Sequence, residues 1–302
     1  MGEHALISFR GIKKQRHQLH IGPLDLDIPA GCVTAIVGMN GSGKSTMMGM
    51  LLGVVQPDEG HMLIEGQTYD DRRDADWKAR IGYQAELPNY EDDDRTPDQL
   101  AKQLAYWYPT WDGLWYQKLI ARYEIDPWVK LNKMSKGMRR KAELVLALAH
   151  RPEVLLLDEP TSGLDPISWR MMIEDLQDLL RDGKHTIIIA THVIEEVKRL
   201  ADYICFMHRG KLLTLVEKDE LFDAWKEYWL EGVSAQDMTG APGLAEAIQE
   251  QHVVRAIAYD AQQLEEYFCK QQWTPIRRQA MPLDEVMYYR IRMEDERRGT
   301  VR

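Results

Sequence analysis

Residues 38–46 read Gly38, Met39, Asn40, Gly41, Ser42, Gly43, Lys44, Ser45 and Thr46, which fits the pattern G-x-x-x-x-G-K-[ST] without a gap. Such a loop suits a nucleoside triphosphate. Its glycines let the backbone turn tightly and aim successive N–H groups at phosphate oxygens, and a helix starting there adds the partial positive charge of its N-terminus. Lys44 is expected to reach the β- and γ-phosphates and the Ser45 hydroxyl to ligate Mg2+, with Gly38, Asn40, Gly41, Ser42, Gly43 and Thr46 completing the cradle. Further along, the apolar run 154–157 ends on two adjacent carboxylates, Asp158 and Glu159. At the C-terminal edge of a parallel strand these would face a bound ligand. Asp158 is expected to hold Mg2+, directly or through water, and Glu159 to orient and deprotonate an attacking water.

These groups need a scaffold, and the chain around them supplies one. Residues 34–37 read as a buried strand before the loop, and residues 46–52 as a helix stopped by Gly53. A turn at Pro57, Asp58, Glu59 and Gly60 precedes an alternating stretch at 61–64. Helical periodicity then dominates, with helices expected at 97–108, 111–123 and 137–150 as an insertion. Apolar strands follow at 154–157, 186–190 and 203–207, separated by helices at 168–181 and 193–200. Alternating helices and continuously apolar strands indicate a parallel sheet covered on both faces. Beyond Lys211 the sequence becomes mixed polar and aromatic. A strand at 253–258 and helices at 261–271 and 283–293 are expected there. The resulting division is a domain over 5–215, with a helical subdomain over about 86–150, and a small accessory region over 216–302.

Composition narrows the possible functions. With 302 residues, 44% apolar, the chain has ample material for a packed core, and a net charge of -10 argues against nucleic acid as the main partner. Cys32, Cys205 and Cys269 are scattered without metal-ligand spacing, so they read as ordinary core or surface residues of a reducing compartment. No run is long and apolar enough to span a bilayer, and the first residues have no signal-peptide pattern; the chain reads as soluble and unexported. The acidic run Glu91, Asp92, Asp93 and Asp94 lacks EF-hand spacing and reads as a solvated loop.

Asp158, Glu159, Pro160, Thr161, Ser162, Gly163, Leu164, Asp165 and Pro166, taken with the phosphate loop and with Ala190, Thr191 and His192 after a strand, resemble the nucleotide-binding domain of an ABC transporter over roughly residues 5–215. The resemblance implies an α/β P-loop NTPase fold of ABC type: an antiparallel β subdomain, a parallel-sheet core, an inserted helical subdomain and a small α+β C-terminal extension. It also implies ATP and Mg2+ as cofactors. By this resemblance Gln84 corresponds to the Q-loop glutamine that touches Mg2+, assists catalysis and senses the transmembrane partner. Asp165 corresponds to the D-loop aspartate, and His192 to the catalytic switch histidine that contacts the γ-phosphate. The family signature is usually Leu-Ser-Gly-Gly-Gln and stands here as Met134, Ser135, Lys136, Gly137 and Met138. Ser135 and Gly137 remain to bind the γ-phosphate of a nucleotide held by another subunit. Lys136 and Met138 depart from the pattern. With Arg139, Arg140 and Lys141 they are similar to type-2 bacterial exporters of the drug and peptide-antibiotic kind, although as residues alone the basic trio reads as a solvated helix face. No aromatic residue stands where the family stacks adenine, so Arg16 or His17 is expected to pack on the base.

The same resemblance predicts partners. One chain carries half of each site, so the implied unit is a homodimer, or a heterodimer with a related ATPase chain. ATP closes the dimer and hydrolysis reopens it, pulling on a separate polytopic permease and driving export of a drug, peptide antibiotic or other small substrate. The chain would then be cytoplasmic and peripheral on the inner face of the cell membrane. Among the aromatic residues Tyr106, Trp107, Tyr108, Trp111, Trp115 and Tyr116, some are expected to pack the helical subdomain. The others, with Tyr83, Leu87 and Tyr90, are expected to line a groove for the permease's coupling helix. The alternatives are soluble ABC ATPases acting on ribosomes, DNA or iron–sulfur assembly. The first resemble tandem cassettes, the second need long coiled-coil insertions, and the third fit the signature less well.

Overall fold

The computed structural model describes residues 5–16, 19–70, 75–86 and 94–297. The chain divides into two compact units, Met1–Leu215 and Val216–Arg302. The first begins with β1 (Ala5–Arg16), β2 (Leu19–Pro29) and β3 (Val33–Val37), followed by the helix α1 (Lys44–Leu51). Next come β4 (Glu59–Ile64), β5 (Gln67–Thr68), α2 (Ala75–Ala79) and β6 (Ile81–Gln84). A helical stretch follows, made of α3 (Pro97–Trp107), α4 (Gly113–Arg122) and α5 (Lys136–Leu148). The unit then continues through β7 (Val154–Asp158), α6 (Pro166–Leu180), β8 (Thr186–Thr191), α7 (Ile194–Leu200) and β9 (Tyr203–His208), and ends within β10 (Lys211–Glu217).

Six strands form the central sheet in the order β10-β9-β3-β8-β7-β6, with parallel pairing from β9 through to β6. Every residue of β3, β7 and β8 is buried, which requires cover on both faces. Strand alternation divides that cover into two cores. Leu155, Leu157, Ile187 and Ile189 point into a core shared with α4, α5 and α6, whereas Val154, Leu156, Ile188 and Ala190 point into one shared with α1, β1 and β2. Burying each such Leu, Ile or Val contributes about 1.5–3 kcal/mol. The second core is closed by an antiparallel sheet in the order β2-β1-β4-β5.

Local chemistry sets the helix starts. Thr96 caps α3 in a reciprocal box with Gln99, and Pro97 occupies the first turn, where no amide hydrogen is needed. Asp112 caps α4 through the Trp115 amide. The expected helices at 97–108, 111–123 and 137–150 therefore correspond closely to α3, α4 and α5. In the second unit, α8 (Lys218–Ala224), β11 (Lys226–Glu231), β12 (Leu244–Glu250) and β13 (Val253–Ala258) are followed by α9 (Ala261–Gln271), β14 (Arg277–Ala280) and α10 (Leu283–Arg297). Its strands form an antiparallel sheet ordered β12-β13-β11-β14, with Tyr228, Leu230, Val254, Ala256, Leu264 and Phe268 in its core. Only β13, α9 and the start of α10 follow from periodicity. The other three strands are too polar or too short to stand out.

Candidate nucleotide site

The loop 38–43 turns from β3 into α1 with Gly41 and Gly43 at φ 77° and 112°, a left-handed backbone that favours glycine. Gly38 is required for another reason. A Cβ there would lie 2.3 Å from the Met207 carbonyl oxygen, so β9 leaves no room for a side chain. Lys44 is buried at the start of α1, and its Nζ donates to the Gly38 carbonyl at 2.8 Å. A cavity of about 350 Å³ opens above this loop, lined by Leu19, Asn40, Gly41, Gly43, Lys44, Ser45 and Thr46, and on the far side by Glu86, Asp158 and Glu159. The phosphate loop and the carboxylates at the end of β7 therefore face one space.

Asp158 ends β7 almost fully buried, and burial pushes its carboxyl up to about 6, against a lowering hydrogen bond from the Ser45 hydroxyl. Its Oδ1 is buried without a hydrogen-bond partner. A hydroxyl oxygen beside an orphaned carboxylate oxygen is the hard donor set that suits Mg2+. Among the described residues no cluster of three or more His, Cys, Asp or Glu side chains could hold a metal by itself. A cation at Ser45 and Asp158 would share its coordination with phosphate oxygens.

Glu159 has φ 48°, a left-handed conformation that costs a residue with a Cβ roughly 1–3 kcal/mol. The surrounding bonds enforce it: the Glu159 amide donates to the Ala190 carbonyl at 2.8 Å, and its carbonyl accepts from the Ser162 amide at 3.2 Å. The turn aims the carboxylate between two nitrogens. Oε1 lies 3.6 Å from Lys44 Nζ, and Oε2 lies 2.7 Å from His192 Nδ1. Behind them Glu196 is buried and hydrogen-bonded to the Thr161 hydroxyl, with its carboxyl raised by burial. Glu196 was not singled out from sequence, because a carboxylate inside an ordinary helix pattern carries no local signal.

Several expected residues stand in surroundings that the sequence did not suggest. Gln84 is not among the residues that line the nucleotide cavity. Its side chain is 1% exposed and donates from Nε2 to the Arg140 carbonyl at 3.0 Å, because the last residue of β6 still packs against α5. Two residues later the chain has cleared the sheet edge, and Glu86 is the residue from this segment that lines the cavity. The basic trio is not a uniformly solvated face either. Arg139 and Lys141 are half-buried, but Arg140 is 2% exposed, inside the structure. His17 lies outside the described residues, as do Leu87, Tyr90, Glu91, Asp92 and Asp93; Arg16 is exposed at the end of β1, and Leu19 is an apolar residue of the cavity lining.

Other expected residues serve the fold as well. Ser135 caps α5 by accepting from the Met138 amide at 3.2 Å. Asp165 caps α6, accepting from the amides of Ile167 and Ser168 and from the Ser168 hydroxyl, bonds that hold its carboxyl well below the usual range. Lys136, which had no assigned role, donates to Ser162 Oγ at 3.1 Å, and a Cβ on Gly137 would sit 2.7 Å from the Gly163 carbonyl oxygen. The signature segment is thus packed on the loop that follows Glu159. Among the aromatics, Tyr116 is in the core with Trp111 and Trp115 against it, whereas Tyr106 and Trp107 are 82% and 67% exposed. Tyr83 and Tyr108 line a second cavity of about 310 Å³ with Gln84, Leu100, Leu104, Glu143 and His150.

Residues 21–162 match the family described as ABC transporter. Nod factor export ATP-binding protein I of Burkholderia lata is 34% identical over 218 residues, covering 68% of this chain and 69% of that protein. The chain belongs to the ABC transporter family as an ATP-binding subunit. ABC transporter ATP-binding protein YtrB of Bacillus subtilis is 31% identical over 199 residues, covering 66% and 67% of the two chains. The fold is shared with the ATP-binding subunit of an ABC transporter, at TM-score 0.64 and 22% identity over 72% of this chain and 91% of that one. It is also shared with a dimeric cassette bound to ADP and Pi, at TM-score 0.60 and 21% identity over 70% and 98%. The cassette is an ATPase, with the P-loop and Glu159 lining one cavity. No helix among its described residues is long and apolar enough to cross a membrane.

Proposed function

We propose that this cassette energises an exporter of small substrates, by pairing with a second copy of itself and docking on a separate polytopic permease at the inner face of the cell membrane. The observation that carries the reading is the Glu159 carboxylate, held between Lys44 Nζ and His192 Nδ1 at the rim of the P-loop cavity. In this reading Lys44 and the loop amides bind the phosphates of ATP, and Ser45 with Asp158 hold Mg2+, which neutralises phosphate charge. Glu159 takes the proton of the attacking water, and His192 orients Glu159 and contacts the γ-phosphate. Ser135 and Gly137 of one copy close over the nucleotide of the other, with Asp165 at the same seam. Glu86, rather than Gln84, faces the nucleotide from the loop after β6.

The cavity between Tyr83, Leu104 and Tyr108 is the proposed seat of the permease segment. It is lined by the end of β6, α3 and α5, and α5 is the helix that Ser135 caps. Export is supported by the name of the Burkholderia relative, a Nod factor export ATP-binding protein, and by the Ser135–Met138 signature.

The reading is tested in two ways. Glu159→Gln should bind ATP and accumulate as a stable ATP-bound dimer with little turnover; hydrolysis at the wild-type rate would remove Glu159 from the role of base. Mixing Lys44→Ala with Ser135→Arg chains should restore one working site per dimer. Failure to complement, together with activity independent of protein concentration, would point to a monomeric ATPase. Co-purification of a polytopic membrane protein separates the exporter from the ribosome, DNA and iron–sulfur alternatives.

A further inference from the structure

The least expected side chain in the first unit is Arg140. It lies on α5, the helix that Ser135 caps, and is among the largest fully buried side chains in the molecule. A guanidinium removed from water needs its donors matched by acceptors; both terminal nitrogens have them, mostly main-chain oxygens, whereas Nε is buried without one. One terminal nitrogen donates to the Asp158 carbonyl at 2.9 Å and to the Glu159 carbonyl. The other donates to the Ala85 carbonyl and lies 3.3 Å from the Glu143 carboxylate. In return the Arg140 carbonyl accepts from Gln84 Nε2 at 3.0 Å. One side chain on the signature helix therefore grips two separate segments that line the cavity, the one that carries Glu86 and the one that carries Asp158 and Glu159.

The grip matters most at Glu159. This residue stands in the left-handed region, and the direction of its carboxylate follows from where its own carbonyl is pinned. Arg140 supplies one of those pins. We propose that Arg140 is a positioning residue that aims the Glu159 carboxylate and ties that aim to the position of the signature helix of the same chain. The inference rests on the reading of Glu159 as the base. When Ser135 and Gly137 engage the nucleotide of a second copy, any displacement of α5 reaches the Glu159 carbonyl through the guanidinium. Nucleotide bound across the dimer thereby adjusts catalysis in the chain that touches it, without a contact between the two nucleotides.

Lysine is the discriminating substitution, because a single ammonium keeps the charge but cannot span acceptors from two segments. Arg140→Lys, Glu159→Gln and the double variant form a cycle measured by kcat, KM and equilibrium ATP binding. Misplacing a catalytic group by about 1 Å costs on the order of 100-fold, so Arg140→Lys should lower kcat by about 10- to 100-fold. ATP affinity should stay within about twofold, since uniform binding is untouched. In the Glu159→Gln background the same change should lower the residual rate by less than about threefold, because coupled residues are not additive. An unchanged kcat in Arg140→Lys would overturn the proposal and leave Arg140 a scaffold residue. So would a full multiplicative loss in the double variant, which would mean an action independent of Glu159. Wild-type turnover in Glu159→Gln would instead overturn the base assignment and take this inference with it. Should Arg140→Lys fail to fold, Arg140→Met with Glu143→Leu removes both buried charges together and must show the same loss confined to kcat.

Discussion

Two buried groups in the cavity between β6, α3 and α5 titrate in opposite directions, and removing either one should expose the other. Burial holds His150 down at about 4 from an ordinary 6.5, against the hydrogen bond its Nε2 donates to the Ile81 carbonyl. Burial pushes Glu143 up to about 7 from an ordinary 4.5, against the attraction of Arg140. A lowered histidine stabilises the fold above pH 6.5, and that contribution is lost as pH falls toward 4. A raised carboxyl does the reverse: its contribution is present below pH 4.5 and lost as pH rises through 7. Each full shift corresponds to about 3 kcal/mol at 1.4 kcal/mol per pH unit. Between pH 7.5 and pH 5, His150 costs roughly 2 kcal/mol and Glu143 returns roughly 2 kcal/mol, so the two nearly cancel in the native protein.

Substitution breaks the balance. His150→Phe keeps the ring against Tyr108, whose centroid is 4.0 Å away, and should grow more stable as pH falls from 7.5 to 5. Glu143→Gln should grow less stable over the same interval. Urea unfolding followed by circular dichroism at several pH values reads the two slopes. Their difference should approach about 4 kcal/mol, with constant costs of substitution dropping out because they do not vary with pH. Parallel profiles for the native protein and both variants would refute the reasoning, since they would mean that neither buried group titrates as described.

Gly38→Ala should abolish ATP binding without unfolding the second unit, because its Cβ would fall 2.3 Å from the Met207 carbonyl oxygen and displace the loop; retained affinity in equilibrium binding would count against this steric account. Gly137→Ala drives a Cβ to 2.7 Å from the Gly163 oxygen, so it should separate the signature segment from the loop after Glu159. Its ATPase activity should lose its rise with protein concentration while single-chain ATP binding persists, and equal loss of both would argue against that division. Asp158→Asn should bind ATP with an affinity that no longer rises when Mg2+ is added, read by titration with and without a chelator; an undiminished Mg2+ effect would remove Asp158 from the cation site.

The residues proposed to carry phosphate chemistry could be picked out directly because each is marked by a local rule. The P-loop declares itself through glycine spacing next to a helix start, and Asp158 with Glu159 through an apolar strand that ends in two charges. Strands β3, β7 and β8 and helices α3, α4 and α5 were legible for the same reason, as periodicity and caps lie within a few residues of one another. Gln84 and Glu86 were not. Which of two nearby polar residues faces the cavity depends on where β6 ends and on what α5 presents to it, and α5 lies some fifty residues away along the chain. Arg140 was misjudged because a basic run on a helix looks solvated until the main-chain oxygens that receive it are known. Its acceptors come from the segment after β6 and from the end of β7, two places that only the fold brings together. Short-range pattern determined which groups could bind and cleave a triphosphate. The three-dimensional arrangement decided which carbonyls aim those groups, since hydrogen bonds between distant segments leave no trace in the order of residues.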